Sequence, residues 1–165
     1  MSKPVKAADL PYRLGVGLML LNAKGEVFIG RRIDQTVESW QMPQGGIDKG
    51  ETAEVAALRE LGEETGTDKA QILTLLDGDF AYDLPDHLIG VALHGKYRGQ
   101  KQSWFVLRFT GADSDIDLTR HEPEFAEWRW AKVDDLLDII VPFKRPIYEE
   151  VIAAYKKWRK EKGTA

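Results

Sequence analysis

Apolar residues in this chain occur in short runs separated by turn signals. Residues 14–21 are apolar with glycines at positions 15 and 17, which predicts a buried strand with a close backbone approach. Residues 22–25 have turn composition and residues 26–32 form a second strand pattern, so the two strands are expected to form a hairpin. Further strands are predicted near residues 72–75, 79–82, 102–110 and 125–130.

Helical patterns lie between and after these strands. Residues 53–61 are mostly good helix formers, Thr52 suits an N-cap, and Gly66 can adopt the left-handed conformation that ends a helix. A short helix is expected to begin at residues 133–137, and residues 146–160 form a longer one with an apolar face. Strands and helices from separate parts of the chain predict an α/β fold in which a mixed sheet packs between helices.

The length and composition are typical of one globular domain. At 165 residues, with 43% hydrophobic and 30% charged residues, the chain is long enough to bury a core. No repeat or change of composition marks a boundary, so we expect one domain over residues 1–165, with residues 1–9 as a flexible tail. The absence of cysteine excludes disulfides, and neither a secretory signal nor a membrane-spanning run is visible. These features predict a cytoplasmic protein.

The net charge of -4 is unevenly distributed along the chain. Residues 45–66 carry six acids and two bases, a local charge of -4, and residues 142–165 carry seven bases and three acids, a local charge of +4. The acidic centre suits a metal ion. The basic end suits polyphosphate or RNA, or else it is a solvated helix terminus that complements the helix dipole.

Three glutamates are concentrated near the end of the first predicted helix. Glu63 and Glu64 follow Glu60 by three and four residues, so both side chains neighbour that of Glu60 on one helical face and repel it. Their position at the C-terminal end also opposes the helix dipole. A hard divalent cation such as Mg²⁺ would offset this repulsion. The alternative is a solvated acidic face on an amphipathic helix.

The sequence around these glutamates follows the pattern G-x5-E-x7-R-E-U-x-E-E-x-G-U, where U is aliphatic. The matching residues are Gly45, Glu51, Arg59, Glu60, Leu61, Glu63, Glu64 and Gly66. Thr67 departs from the pattern, at a position that resembles a packing site. The string resembles the signature of the Nudix hydrolases, a resemblance that implies a Nudix-type α/β/α sandwich with a mixed β-sheet.

The resemblance also implies a chemistry, the metal-dependent hydrolysis of a nucleoside diphosphate linked to another group. Mg²⁺, with Mn²⁺ or another divalent cation as an alternative, would be held by Glu60, Glu63, Glu64 and the Gly45 carbonyl. Arg59 is expected to orient the carboxylates by pairing with Glu51 or a neighbouring acid. The general base is left open among the glutamates of the signature and one from a distant loop.

One such loop glutamate is visible before the strand predicted at 125–130. Glu124 lies in a Pro-Glu-Phe sequence that is followed by Trp-Arg-Trp, which resembles the segment that supplies a further carboxylate in bacterial RNA 5′ pyrophosphohydrolases. Glu124 is therefore favoured over Glu122 as an additional catalytic and metal-binding residue. A surface loop acid is the alternative interpretation.

Motifs outside the signature narrow the resemblance to one subfamily, which contains bacterial RNA pyrophosphohydrolases and dinucleoside polyphosphate hydrolases. The match runs from about residue 12 to residue 148 and is weakest over residues 84–98. Its clearest segments are residues 12–17, 30–32, 40–47, 99–105 and 143–145.

Candidate substrate-binding residues lie within these segments. The bases are suited to phosphate, and the aromatic residues to stacking an unpaired base. Two further residues match positions that line the nucleotide pocket of the RNA enzymes. The full set is Arg13, Arg31, Arg32, Lys101 and Lys144, then Tyr82 and Phe143, then Ser39 and Val141. Core packing for Phe143, and a solvated strand end for the arginine pair, are the alternatives.

Three functions follow from these residues. The leading hypothesis is hydrolysis of pyrophosphate from the 5′ end of triphosphorylated RNA to leave a 5′ monophosphate, a step in bacterial mRNA decay. The second is asymmetric hydrolysis of dinucleoside polyphosphates such as diadenosine tetraphosphate. The third, a non-catalytic nucleotide-sensing module, is disfavoured because such modules typically lose the signature carboxylates. We expect no membrane partner and a monomer, although the sequence leaves the oligomeric state open.

Overall fold

A mixed sheet forms the centre of the fold in this computed structural model, which describes residues 6–33 and 39–162. The strands among these residues are β1 (Tyr12–Leu21), β2 (Val27–Arg32), β3 (Trp40–Gln41), β4 (Gln44–Gly46), β5 (Ala70–Leu75), β6 (Phe80–Asp83), β7 (Gly99–Phe109) and β8 (Phe125–Ala131). The α-helices are α1 (Ala53–Thr65), α2 (Leu136–Ile139) and α3 (Arg145–Glu161).

The sheet has the strand order β3-β2-β1-β7-β5, with β4 paired to β1, β6 to β7 and β8 to β2. The β1 and β7 strands run parallel, and the other pairs are antiparallel. The predicted hairpin of β1 and β2 is present, closed by the Asn22 amide nitrogen, which donates to the Glu26 carbonyl at 2.9 Å. The mixed sheet predicted from the sequence is therefore confirmed.

Alternate residues of the two central strands fill two different cores. Leu18 of β1 and Leu107 of β7 pack with Leu61 of α1 on one face of the sheet. Met19 of β1 and Val106 of β7 join the other core, which contains the apolar face of α3. Because successive side chains of a strand point to opposite faces, helices on both sides cover the sheet. This arrangement is the expected α/β/α sandwich.

Helix α1 begins and ends at the residues that its sequence predicts. The Thr52 side chain accepts a hydrogen bond from the Val55 amide at 3.2 Å, and Gly66 has a φ of 77°. The long C-terminal helix also agrees with its prediction to within one residue at each end. The short helix differs, because residues 133–135 form a 3-10 turn before α2 begins at Leu136.

Two regions differ more from expectation. Residues 40–46, which include the first glycine of the signature, form strands β3 and β4, and these are too short for a periodic pattern to predict. Within the predicted tail, residues 7–9 form a 3-10 turn, whereas residues 1–5 lie outside the described residues. Among the described helices, none is both long and apolar enough to cross a membrane.

Candidate active site

Two of the signature glutamates, Glu60 and Glu64, meet strand β4. Glu60 and Glu64 are buried on the face of α1 that is turned toward β4. The Gln44 amide donates to Glu64 Oε2 at 3.1 Å, and a Cβ at position 45 would overlap the Glu60 carboxylate. Glycine at position 45 therefore lets the backbone approach this carboxylate, and a larger residue there would displace the Glu60 side chain.

Arg59 connects the loop before α1 to the carboxylates on the helix. Its guanidinium binds Glu51 through two hydrogen bonds of 2.8 and 2.9 Å and donates to the Gly46 carbonyl at 2.8 Å. It also donates to Glu60 at 2.8 Å and to Glu63 at 3.3 Å. The hydrogen bonds from Arg59 are the main reason that the pKa of Glu51 is lowered to about 2. Arg59 thus fixes the position of three acids at once.

The two buried glutamates are electrostatically strained. Burial, with repulsion from Glu63 and Glu124, raises the pKa of Glu60 to about 7, although Arg59 opposes the shift. Burial, with repulsion from Glu124 and Glu60, raises the pKa of Glu64 well above its usual range. The Oε1 atom of Glu64 is buried and accepts no hydrogen bond from any described residue. Such a site favours a bound cation or proton.

The donor set fits a hard divalent cation in type and charge. Carboxylate and carbonyl oxygens are the ligands that such ions prefer, and the buried Oε1 of Glu64 provides an uncommitted one. Within residues 6–33 and 39–162, however, no three acidic or histidine side chains are arranged to hold one ion together. Arg59 binds Glu60 through Oε1 and Glu63 through Oε2, so the second oxygen of each carboxylate accepts no hydrogen bond from this arginine.

Glu124 lies on the loop before β8 and lines the same cleft as Glu60. The carbonyl of Glu124 accepts a hydrogen bond of 2.9 Å from the Ile33 amide, which ties this loop to the end of β2. Glu122 is exposed and does not line this cleft. The phosphate cleft, as we call this space of about 480 Å³, is lined by Arg13, Arg32, Gln44, Gly45, Glu60, Leu93, His94, Gln100 and Glu124.

A second cavity of about 340 Å³ adjoins the phosphate cleft, and the two share Arg32, Gln44, Leu93 and Gln100. We call it the aromatic pocket, because the rings of Tyr82 and Phe143 lie 6.0 Å apart in its wall. Its other lining residues are Ser39, Gln41, Leu84, Leu88, Ala92, Val141 and Lys144.

Polar groups of the aromatic pocket are held in fixed positions. The ammonium group of Lys144 donates to Gln41 Oε1 at 2.9 Å and lies 5.8 Å from the centre of the Tyr82 ring. Gln100 Nε2 donates to the Tyr82 hydroxyl at 2.7 Å. Two buried atoms, Gln41 Nε2 and Gln100 Oε1, have no hydrogen-bond partner among the described residues. Because an unpaired buried polar group is costly, each of these two atoms favours a hydrogen-bonding partner such as a ligand group or water.

Two of the candidate bases lie elsewhere. Arg31 pairs with Glu127 at 2.6 Å, because alternate residues of β2 face opposite ways and only Arg32 faces the cleft. Lys101 is exposed, lies 5.0 Å from the centre of the Tyr12 ring and lines a separate cavity with Leu14. Gln100, the neighbour of Lys101 on β7, lines both the phosphate cleft and the aromatic pocket.

Sequence reasoning missed several residues of these cavities. Gln41, Gln44 and Gln100 carry no charge. The only sequence feature that could have identified them is their place within the recognised motif segments. Residues of the 84–98 stretch, including Leu93 and His94, were not selected because this part of the chain has the weakest motif match.

Comparison with known proteins agrees with this geometry. The family model for the NUDIX domain matches residues 11–151. A Rhodospirillum rubrum protein named RNA pyrophosphohydrolase is 56% identical over 150 residues, 91% of this chain and 90% of the relative. A Rickettsia conorii protein of the same name is 50% identical over 151 residues, 92% of this chain and 94% of the relative.

A solved structure shows the same fold. The dihydroneopterin triphosphate pyrophosphohydrolase of E. coli superposes with a TM-score of 0.62 at 22% identity, over 87% of this chain and 98% of that protein. The chain belongs to the Nudix hydrolase family. Members of this family generally use divalent cations.

Proposed function

We propose that this enzyme removes pyrophosphate from the 5′ end of triphosphorylated RNA and leaves a 5′ monophosphate. The observation that carries the proposal is the direct connection of a carboxylate-lined phosphate cleft to an aromatic pocket through Arg32 and Gln100. A 5′ polyphosphate could occupy the cleft while an unpaired base of the same strand enters the pocket. The relatives named RNA pyrophosphohydrolase support this substrate.

The reacting end would be held by residues of the phosphate cleft and by the neighbouring glutamates of α1. Glu60, Glu63, Glu64, Glu124 and the Gly45 carbonyl would hold Mg²⁺ or Mn²⁺, which when bound polarises phosphoryl oxygens and lowers the pKa of water. The guanidinium groups of Arg13 and Arg32 would bind phosphate oxygens, since arginine can donate two parallel hydrogen bonds to them. Arg59 would position the carboxylates through its contacts with Glu51, Glu60 and Glu63.

The aromatic pocket would bind a base of the RNA. Phe143 is half-buried and offers a ring face, whereas the Tyr82 ring is buried and fixed by Gln100. The free atoms Gln41 Nε2 and Gln100 Oε1 could pair with the edge of a base, because each lacks a partner among the described residues. Lys144, Ser39 and Val141 complete the wall. Single-stranded RNA is commonly bound by this combination of stacking and edge contacts.

A dinucleoside polyphosphate is the second candidate substrate. Its adenosine could enter the same aromatic pocket while its phosphates occupy the cleft. A non-catalytic sensing module is a weaker candidate, because the chain keeps all the signature glutamates, and Glu60 and Glu124 line the cleft. An RNA substrate would also imply that the enzyme is cytoplasmic. We further propose that residues 1–165 form one domain and that the protein acts as a monomer.

A comparison of kcat/KM on two substrates tests the proposal. Pure protein with Mg²⁺ would be incubated with 5′-triphosphate RNA and, separately, with diadenosine tetraphosphate, with Glu64→Gln as the inactive control. We expect the triphosphate RNA to be converted to pyrophosphate and 5′-monophosphate RNA. We also expect kcat/KM to be higher on this RNA than on diadenosine tetraphosphate. A higher kcat/KM on diadenosine tetraphosphate would assign that substrate instead, and no turnover of either would favour the sensing module.

A further inference from the structure

Residues 84–98 form a loop that closes on itself beside the phosphate cleft. The Leu84 amide donates to the Arg98 carbonyl at 2.8 Å, and the Arg98 amide donates to the Pro11 carbonyl at 2.9 Å. The two ends of the loop are thus joined to each other and to the chain just before β1. Compact surface loops with joined ends are frequently functional.

A left-handed turn lies at the point where this loop reaches both cavities. Leu93, His94 and Gly95 have consecutive φ values of 54°, 60° and 70°. Positive φ is unusual for a residue with a side chain, and histidine adopts it more readily than leucine. Residues held in this region without being glycine cluster at ligand sites, where surrounding structure maintains them.

Packing of Leu93 holds the turn in place. Its side chain packs against the core on the α3 side of the sheet and lines both the phosphate cleft and the aromatic pocket. Gly95 fits closely behind it, because a Cβ there would lie 2.8 Å from the Gly90 carbonyl oxygen. With Leu93 held in this way, the next side chain, His94, projects toward the phosphate cleft.

The His94 side chain is uncommitted. It is exposed and forms no hydrogen bond or ion pair with any residue that the structure describes. It shares the phosphate cleft with Arg13 and Arg32, while Glu60 and Glu124 lie in the same space. An imidazole retains at least one N–H donor in either protonation state, so it can bind an anion beside the arginines.

We infer that His94 is a substrate-binding residue that donates a hydrogen bond to a phosphate group at the 5′ end of the RNA. Leu93 forms the wall between this phosphate and the base in the aromatic pocket. The inference rests on the proposed function and extends it to a residue that no signature motif contains. The ligand class is a phosphate monoester or diester attached to a nucleoside.

Steady-state kinetics of two His94 variants test this role. His94→Asn and His94→Gly both tolerate a positive φ, so they remove the imidazole and preserve the turn. Because a hydrogen bond to a charged group is lost, we expect KM for triphosphorylated RNA to rise on the order of tenfold in both. We expect kcat to change by less than roughly threefold, because the lost hydrogen bond would contribute to substrate binding rather than to the chemical step.

The matched control is His87→Asn, because His87 is an exposed histidine of the same loop that lines neither cavity. It should leave KM and kcat unchanged. A merely structural role for His94 predicts that glycine, the residue best suited to this backbone, keeps the wild-type KM. A wild-type KM in both His94 variants would overturn the inference.

A binding measurement separates this inference from the proposed function. Imidazole proton signals of the full chain would be followed by NMR during titration with a four-nucleotide RNA, bearing either a 5′ phosphate or a 5′ hydroxyl. We expect the His94 signal, assigned by its loss in His94→Asn, to shift only with the phosphorylated RNA, and the His87 signal to stay. The absence of that shift overturns the inference. A shift without turnover of triphosphorylated RNA would instead retain His94 and reject the proposed activity.

Discussion

Arg59 binds Glu51 through both carboxylate oxygens, with N–O distances of 2.8 and 2.9 Å, eight residues apart in the chain. The same guanidinium reaches Glu60 and Glu63 with its remaining nitrogen. Glu51 also accepts a hydrogen bond from the Asp48 amide at 2.9 Å, so the loop, the arginine and the helix form one network. A change at either residue should therefore affect the geometry of the proposed metal ligands.

Arg59→Lys should lower kcat by about 10–100-fold, the usual cost of losing a group that orients metal ligands. Lysine keeps the charge but lacks the planar fork that binds Glu51 bidentately and still reaches Glu60. The measurement is kcat at saturating Mg²⁺. Arg120→Lys is the control, because Arg120 is exposed and only weakly paired with Asp117 at 3.8 Å. Equal kcat values in the two variants would contradict a positioning role for Arg59.

Glu64→Gln and Glu60→Gln should each abolish turnover by orders of magnitude without loss of the fold. Each removes a proposed metal ligand, keeps the side-chain size and relieves repulsion among the carboxylates. The metal-free melting temperature should therefore hold or rise. The control is Glu54→Gln, an exposed residue of the same helix. Wild-type kcat in either variant would remove that glutamate from the site.

Without metal, the free energy of unfolding should fall as the pH rises from about 4.5 to 7. The pKa of Glu60 is raised from 4.5 to about 7 in the folded protein, so the folded state binds more protons than the unfolded state in this window. The contribution of Glu60 to the free energy of unfolding is therefore complete below pH 4.5 and is lost as the pH rises through about 7. Denaturant unfolding in a chelator buffer measures this change in the free energy of unfolding. The profile should be less steep in Glu60→Gln, where Glu64, whose pKa is also raised, still contributes. An unchanged slope in that variant would be inconsistent with a raised pKa of Glu60.

Mg²⁺ should raise the melting temperature of the wild type, because a ligand that binds only the folded state stabilises it by mass action. The increase should be smaller in Glu64→Gln, which lacks the buried carboxylate with an uncommitted oxygen. Thermal scans at several Mg²⁺ concentrations provide the comparison. If both proteins shift equally, the cation binds at another place.

Phe143→Ala should lower kcat/KM on RNA with unpaired 5′ nucleotides by roughly 5–150-fold, because stacking on a ring is worth about 1–3 kcal/mol per base. Phe143→Leu is the matched variant, since it keeps apolar packing without the ring. Single-turnover rates on RNAs with zero to four unpaired 5′ nucleotides give the measurement. A 5′ end within a duplex should be a poor substrate, because its bases cannot splay onto a ring. A rate independent of unpaired length would argue against base binding in the aromatic pocket.

The sequence by itself determined the local features of this protein. The hydrophobic pattern predicted the hairpin and the long C-terminal helix, and the caps predicted both ends of α1. These features were accessible because each depends on residues a few positions apart. The acidic face of α1 was visible for the same reason, since helical periodicity fixes which side chains are neighbours.

Only the tertiary structure decided which distant residues meet at the two cavities. Parallel pairing of β1 with β7 sets Arg13 opposite Gln100, and the alternation of β2 selects Arg32 over Arg31 for the cleft. The loop 84–98 reaches the cleft through a left-handed turn held by core packing of Leu93. Strand register and loop docking are fixed by contacts between segments far apart in the chain, so no local pattern could have predicted them.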